Sequence, residues 1–300
     1  MAKPSPLRGR FAPSPTGPLH FGSLIAALGG FLEARSRGGE WLVRIEDVDA
    51  PRTIPGAADA ILRVLARYGL DWDGPVLHQS RRTEYYQAAL DRLQGAGLAY
   101  PCTCTRRELA VNPRAGDGSS IYPGHCRTGV RHPDRPQAMR LRVDDASLVF
   151  RDAIQGDYSQ TLGSESGDFV IRRADGCFAY QLAVVIDDAD QGITQVVRGG
   201  DLLDSTPRQI YLQQLLDLPT PEYAHLPIAV DLHGDKLSKQ TGAPPLDERN
   251  PGPTLWNALR FLGQQPPPEL SCAPVAEIIR WALAHWRLGS VPTVWPRRQD

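Results

Sequence analysis

Three groups of residues in this 300-residue chain have chemistry to offer. The first is His20, which follows a turn built from Pro13, Pro15 and Gly17 and opens an apolar helical pattern. A strand end, a glycine-containing turn and a helix N-terminus together favour phosphate, because the first helical amides are unpaired and the helix dipole is positive there. An imidazole at that mouth can donate to a nucleotide phosphate. The second group is Lys236 and Lys239, spaced by Leu237 and Ser238 and preceded by the turn residues His233, Gly234 and Asp235. Two lysines so spaced on a loop can neutralise charge that develops on phosphates as a phosphoryl bond breaks.

The third group is the cysteines. There are five, and Cys102, Cys104 and Cys126 lie close together with Tyr122 and His125 among them. An odd count, a tight cluster and an N-terminus without the charged-then-apolar pattern of a secretory signal read as metal binding before disulfides. Three thiolates and one further donor make a closed tetrahedral structural site. The fourth donor is His125 or Tyr122; imidazole is the commoner ligand, but adjacent residues 125 and 126 tend to point apart. Cys177 reads as core.

Composition bounds what surrounds these groups. With 41% hydrophobic and 22% charged residues the chain is an ordinary globular one, long enough for one elaborated domain or two moderate ones. No apolar run approaches the roughly 20 residues of a membrane span, so the expected setting is cytoplasmic, with no membrane partner. A net charge of −1 argues against a passive, non-specific nucleic-acid binder. A local patch remains open, with Arg106, Arg107, Arg114, Arg127 and Arg131 as candidates.

The elements that must position these groups alternate. Residues 8–12 read as a strand, Leu24, Ile25, Leu28, Phe31 and Leu32 as one face of a helix, and residues 41–45 as a buried strand. Ile61, Leu62, Leu65 and Tyr68, then Tyr86, Ala89, Leu90 and Leu93, repeat the helical spacing. Strands alternating with helices predict a parallel sheet with crossover connections. From about 99 to 173 the pattern becomes loop-rich. It then resumes, with residues 183–186 and 195–197 as strand candidates. Ser205, Thr206, Pro207 and Gln209 read as a helix start with a hydroxyl cap and capping box, and residues 275–286 as a final helix.

The string Arg10, Phe11, Ala12, Pro13, Ser14, Pro15, Thr16, Gly17, Pro18, Leu19, His20, Phe21, Gly22 resembles the HIGH signature of class I aminoacyl-tRNA synthetases in its glutamyl/glutaminyl form. His20, Phe21, Gly22 and Ser23 occupy its four places. Lys236, Leu237, Ser238, Lys239 and Gln240 resemble the KMSKS loop, and residues 167–180, 184–188, 197–201 and 205–209 match the same catalytic core in order and spacing. The resemblance covers about residues 8–240. It implies an α/β fold: a Rossmann-like parallel sheet with helices on both faces, a zinc-binding insertion and a short helical C-terminal extension. The corresponding domains are 1–98 and 174–243 as two halves of the catalytic domain, 99–173 as the insertion and 244–300 as the extension.

By the same resemblance ATP is held at His20, Gly22 and Lys239, with His20, Lys236 and Lys239 catalytic and Mg²⁺ accompanying the nucleotide. The amino acid is L-glutamate. Two carboxylates and one ammonium need about two cationic anchors and one anionic one. The implied pocket is Arg10, Phe11, Ala12, Pro13, Ser14, Glu46, Tyr180 and Arg198. Arg10 and Arg198 would each grip a carboxylate bidentately, standing at opposite ends of the sheet, and Glu46 would pair with the ammonium. Arg10 and Glu46 could instead form an inter-strand salt bridge.

The chain ends too soon for the helical anticodon-reading region of a full glutamyl-tRNA synthetase. Cys102, Cys104, Tyr122 and Cys126 match the C-x-C and Y-x3-C pattern of short paralogues of that enzyme. This resemblance carries over Tyr122 as the fourth zinc ligand, one structural Zn²⁺ in all. It implies activation of glutamate without tRNA, then transfer to the cyclopentene-diol of queuosine at the wobble position of tRNA(Asp), by a monomer. The alternatives are an enzyme charging a tRNA 3′ end, a non-catalytic glutamate- or nucleotide-binding paralogue, and a nucleotidyltransferase of the wider superfamily.

Overall fold

A computed structural model describes residues 7–116, 118–145, 147–230 and 243–293. Lys236 and Lys239 lie outside the described residues. The first segment runs β1 (Arg8–Phe11), α1 (Phe21–Ser36), β2 (Glu40–Ile45), α2 (Ala57–Arg67), β3 (Leu77–His78) and α3 (Thr83–Gly95). Next come β4 (Ala99–Cys102), α4 (Arg106–Leu109), β5 (Ala138–Leu141), β6 (Ser147–Asp152), β7 (Gly156–Thr161), α5 (Leu162–Glu165) and β8 (Phe169–Arg172). The chain continues through α6 (Tyr180–Asp190), β9 (Gln195–Gly199), α7 (Thr206–Leu215), β10 (Glu222–Leu226), α8 (Pro251–Phe261) and α9 (Val275–His285).

Strands β1, β2 and β3 pair in parallel, as do β9, β10 and β6, with β7 returning antiparallel against β6. Arg8 and Thr194 join the two groups: the Thr194 amide donates to the Arg8 carbonyl at 3.0 Å, and the Arg8 amide donates to the Thr194 hydroxyl at 2.8 Å. The strands therefore run β3-β2-β1-β9-β10-β6, and the order reverses between β1 and β9. In open parallel sheets ligands bind beyond the carboxyl ends at such a reversal. A separate antiparallel sheet, β4-β5-β8, carries the cysteine-bearing loops.

Alternation along the strands buries both faces. Val197, Ala224 and Leu226 pack with Trp41, Val43 and the α1 residues Leu24 and Leu28, while Val196 and Tyr223 face Ile210 of α7. Helix α1 is buried nearly all round, with α8 and α9 packed outside it. Its close approach to β10 requires Gly29, where an added Cβ would stand 2.7 Å from Leu226 Cδ1. Among the described residues no helix is long and apolar enough to cross a membrane.

Three local expectations are corrected. Residues 183–186 are helical, inside α6, with Leu182, Ala183, Val184 and Val185 all buried; a short apolar run reads alike for a strand and for a fully buried helix. Helix α7 starts at Thr206 with Pro207 early in it, but Ser205 makes no side-chain cap. A 3-10 turn already leads into the helix, the Ser205 hydroxyl accepts from Arg208 at 3.3 Å, and Gln209 donates to Gln181. Cys177 is half-buried in the turn between β8 and α6 rather than in the core.

The antiparallel sheet is fastened to its loops by Asp168, which is 1% exposed. Its carboxylate accepts from Arg127 at 2.6 and 2.7 Å, from the Val143 amide at 2.9 Å and from the Tyr100 hydroxyl. Asp168→Ala leaves the buried phenol and amide unpaired and removes the partner of Arg127. It should lower unfolding free energy by about 2–4 kcal/mol. Urea denaturation measures this, and an unchanged midpoint would show that the carboxylate is not the fastening.

Candidate active site

β1 ends in Arg10 and Phe11, and the turn beyond them lines a cavity of about 810 Å³. Arg10, Phe11, Ala12, Ser14, Glu46, Tyr180 and Arg198 all line it. Pro13 contributes its carbonyl, which accepts from the Glu46 amide at 3.0 Å and ties the turn to the end of β2. The eight residues expected to form an amino-acid pocket are thus brought together. Arg10 and Arg198 stand on neighbouring strands at the same carboxyl edge, not at opposite ends of the sheet, because β1 lies beside β9.

The two guanidiniums are already engaged. Arg10 is 4% exposed and spends its Nε and one terminal nitrogen on Asp188, at 2.9 and 3.3 Å. Arg198, 5% exposed, donates from Nε to His225 Nε2 at 3.0 Å, from one terminal nitrogen to Thr206 Oγ1 at 2.8 Å, and from the other to Tyr180 Oη at 3.3 Å. The Nε sides thus face the protein. Arg10 keeps a terminal edge that can still take a carboxylate at two points. In Arg198 the nitrogen that meets Thr206 also donates to the Leu202 carbonyl at 3.4 Å, so only the terminal nitrogen that meets Tyr180 is left, which corrects the bidentate grip expected of Arg198. Nor does Arg10 bridge to Glu46, since Asp188 takes its place.

The acids beneath the cavity form a buried network that sequence reasoning left without roles. Asp187 accepts from Gln79 Nε2 at 2.8 Å, Arg82 Nε at 2.6 Å and Tyr86 Oη at 2.8 Å. Asp188 is shared between Arg10 and Arg44, the latter fully buried and 2.8 Å away. Glu46 is left with the edge of Arg44 at 3.5 Å, and its Oε1 has no hydrogen-bond partner among the described residues. Burial pushes the Glu46 carboxyl up to about 7, against the opposing pull of Arg44 and Arg10. A desolvated carboxylate short of a cation, facing a cavity, is suited to an ammonium. Two consecutive acids, Asp187 and Asp188, inside an apolar helical run were the signal that a buried network lay here.

His20 caps α1. Its Nδ1 accepts from the Ser23 amide at 3.4 Å, while the Ser23 hydroxyl accepts from the His20 amide at 2.7 Å. With Nδ1 an acceptor, the proton of the neutral ring lies on Nε2, where it can donate. Ser23 thus has a structural reason to follow Gly22. His20, Gly22 and Ser23 line a second cavity, which shares Ala26 and Gly199 with the first. Ala229 lines it too, and Pro245 bridges to His20, so the described residues flanking the lysine segment meet the helix mouth.

The sulfur atoms of Cys102, Cys104 and Cys126 lie within 4.8 Å of one another. Tyr122 Oη lies among them, 3.4 Å from Cys102 Sγ and 3.7 Å from Cys104 Sγ, and accepts from the Cys126 amide at 2.8 Å. His125 is exposed. Burial raises the Cys126 thiol, but bonds from Tyr122 and from the Thr103 and Arg131 backbone outweigh it and bring it down to about 6; burial pushes Cys104 up to about 11. Burial and the neighbouring sulfurs push the Tyr122 phenol up as well, a preference that a central cation would oppose. Arg140 donates to Cys102 Sγ at 3.2 Å and covers the Tyr122 ring at 3.9 Å. This donor set fits a thiophilic metal ion.

The family of tRNA synthetases class I (E and Q), catalytic domain, matches residues 6–280. A glutamyl-Q tRNA(Asp) synthetase of Thiobacillus denitrificans is 58% identical over 97% of this chain and 96% of its own length. One of Dechloromonas aromatica is 57% identical over 96% of each. A glutamate tRNA ligase from Elizabethkingia meningosepticum, solved with its amino acid, superposes with a TM-score of 0.77 at 26% identity. The match covers 97% of this chain, which spans 66% of the length of that structure.

About one thiophilic divalent ion per chain is expected on the cysteine cluster. Elemental analysis of purified protein measures it. Cys102→Ser combined with Cys126→Ser should remove it, and retention of the metal would place it elsewhere.

Proposed function

Since the chain belongs to the glutamyl-Q tRNA(Asp) synthetases, ligases within the class I (E and Q) tRNA synthetase family, we propose that it activates L-glutamate with ATP before any tRNA is bound and transfers it to queuosine in tRNA(Asp). The observation that carries the amino-acid half of this reading is Glu46, a buried carboxylate without a hydrogen-bond partner on Oε1 among the described residues, lining the same cavity as Arg10 and Arg198. The ammonium of glutamate supplies the missing cation. The terminal edge of Arg10 and the terminal nitrogen of Arg198 beside Tyr180, with Tyr180 Oη, receive the two carboxylates, while Phe11, Ala12, Pro13 and Ser14 shape the wall.

The α-carboxylate attacks the α-phosphorus of ATP, and pyrophosphate leaves. His20 donates to the phosphates at the mouth of α1, beside Gly22, and Lys236 and Lys239 neutralise the departing charge. Mg²⁺ enters with ATP. A hydroxyl of the queuosine diol then attacks the carbonyl of the mixed anhydride, and AMP leaves. Cys102, Cys104, Tyr122 and Cys126 hold one Zn²⁺, which supplies a structural pin for the loops around them. In this scheme residues 1–98 and 174–243 form the catalytic domain, 99–173 the insertion and 244–300 the extension, in a cytoplasmic monomer.

The RNA is expected at the mouth of the larger cavity, where Arg52, Arg106 and Arg173 sit on the rim. Arg106 stands immediately after the cysteine loop. Residues 99–143 hold eight arginines against three acids in a chain of net charge −1, and all but Arg140 are exposed. Such a local excess of arginine suits phosphates.

Two measurements test the reading. Glutamate-dependent exchange of pyrophosphate into ATP is expected without tRNA, and labelled glutamate should pass to tRNA(Asp) with queuosine but not to the same tRNA with guanosine there. Equal transfer, or label at the 3′ end, overturns it. The second concerns pH. Binding an ammonium requires ionised Glu46, whose carboxyl sits near 7 in the ligand-free site. Affinity is therefore full above that value and lost below it, so the KM for glutamate should rise about tenfold per pH unit on the acid side. Glu46→Gln should raise KM by about 10- to 100-fold and flatten the profile; a profile like that of the parent protein would remove Glu46 from the site.

A further inference from the structure

Behind Arg198, adjacent strands each supply one polar residue. In the parallel ladder Arg198 of β9 lies beside His225 of β10, and Asp152 ends β6, which pairs with β10 at Tyr223. His225 is 0% and Asp152 2% exposed. Arg198 Nε stands 3.0 Å from His225 Nε2, and His225 Nδ1 stands 2.6 Å from Asp152 Oδ2.

Hydrogen-bond chemistry then fixes where the proton is. A guanidinium has only donors, so His225 Nε2 must offer a lone pair to Arg198, and the single proton of the neutral ring belongs on Nδ1. Asp152 Oδ2 accepts it. The opposite tautomer would set N–H against N–H at Arg198 and lone pair against carboxylate at Asp152. Asp152 cannot turn away, because its Oδ1 accepts from the amides of Ile154 at 2.9 Å, Gln155 at 2.8 Å and His225 at 3.1 Å. Burial holds the His225 imidazole down at about 4, against the pull of Asp152, so the ring keeps its lone pair at neutral pH. Thr206 Oγ1 completes the cradle: it accepts from Arg198 at 2.8 Å and donates to the Leu202 carbonyl at 3.2 Å.

We propose that Asp152 and His225 are positioning residues that, through a fixed imidazole tautomer, hold Arg198 so that the terminal nitrogen beside Tyr180 meets a carboxylate of the substrate. This rests on the reading of Arg198 as a glutamate ligand. No proton moves and no bond is made; the pair sets direction.

The isosteric Asp152→Asn variant is the sharpest test. The three backbone amides claim the asparagine oxygen, so its NH2 faces His225 Nδ1 and drives the proton to Nε2, against Arg198. Nitrogen-15 spectra of labelled histidine should show His225 protonated on Nδ1 in the parent protein at pH 7 and on Nε2 in the variant. In pyrophosphate exchange the variant should raise the glutamate KM by about tenfold or more, with ATP KM and kcat within about threefold, the mark of lost ground-state binding. His225→Gln, whose carbonyl can accept from Arg198, should retain more glutamate affinity than His225→Leu.

A parent His225 protonated on Nε2 overturns the proposal, whether or not the variants fold. So does an unchanged glutamate KM in Asp152→Asn when Arg198→Ala loses glutamate affinity. An unchanged KM in Arg198→Ala itself overturns the assignment of Arg198, and the proposal with it.

Discussion

Burial of Arg10, Arg44, Asp187, Asp188 and Glu46 at one edge of a parallel sheet imposes a pairing that the fold meets at Asp187 and Asp188. Among the described residues it is left incomplete at Glu46 and at Nε and Nη2 of Arg44. An isolated charge of this kind costs several kcal/mol to desolvate, so each needs a partner or must neutralise. Asp187 has three donors and Asp188 two arginines. Glu46 has the distant edge of one guanidinium, and its carboxyl is pushed up to about 7. The site is poised for a cation because its nearest guanidinium, Arg44, is held by Asp188 and reaches Glu46 only at 3.5 Å.

The arginines follow the same logic in reverse. A guanidinium held by one ligand alone can swing, whereas Arg10 and Arg198 are gripped from behind by groups on other strands and helices. Fixing Nε and one terminal nitrogen leaves little entropy to lose when a carboxylate meets the other terminal nitrogen. The carboxyl ends of β1, β2 and β9 converge at the strand-order reversal, which is why residues from the first, second and ninth strands share one cavity.

The cysteine loops are joined to this arrangement through backbone as well as side chains. Tyr122 bridges to Gly167, whose φ of +68° and close contact with the Tyr122 backbone leave no room for a side chain. The next residue, Asp168, gathers Arg127, Tyr100 and Val143. Arg106, two residues beyond Cys104, lines the main cavity and two cavities of the antiparallel sheet. The geometry of the thiols and the geometry of the rim are therefore linked over few residues.

What the sequence determined by itself is what short-range geometry carries. The helix mouth at His20, the clustered cysteines and the strands at residues 8–12 and 41–45 follow from neighbours a few positions apart, so residue type and spacing suffice. Even Ser23 at the fourth place of the signature is a local capping matter. The tertiary structure alone decided the charge pairs. Arg10 meets Asp188, 178 positions away, and Arg198 meets His225, 27 positions away across a ladder. It also decided that residues 183–186 coil rather than extend, and it turns Tyr122 to the thiols, a choice that residue chemistry left open against His125 and the sequence made only through its resemblance to a family. Each of these depends on strand order and register, and a carboxylate can be counted in a sequence before anything shows which cation the folded sheet will set against it.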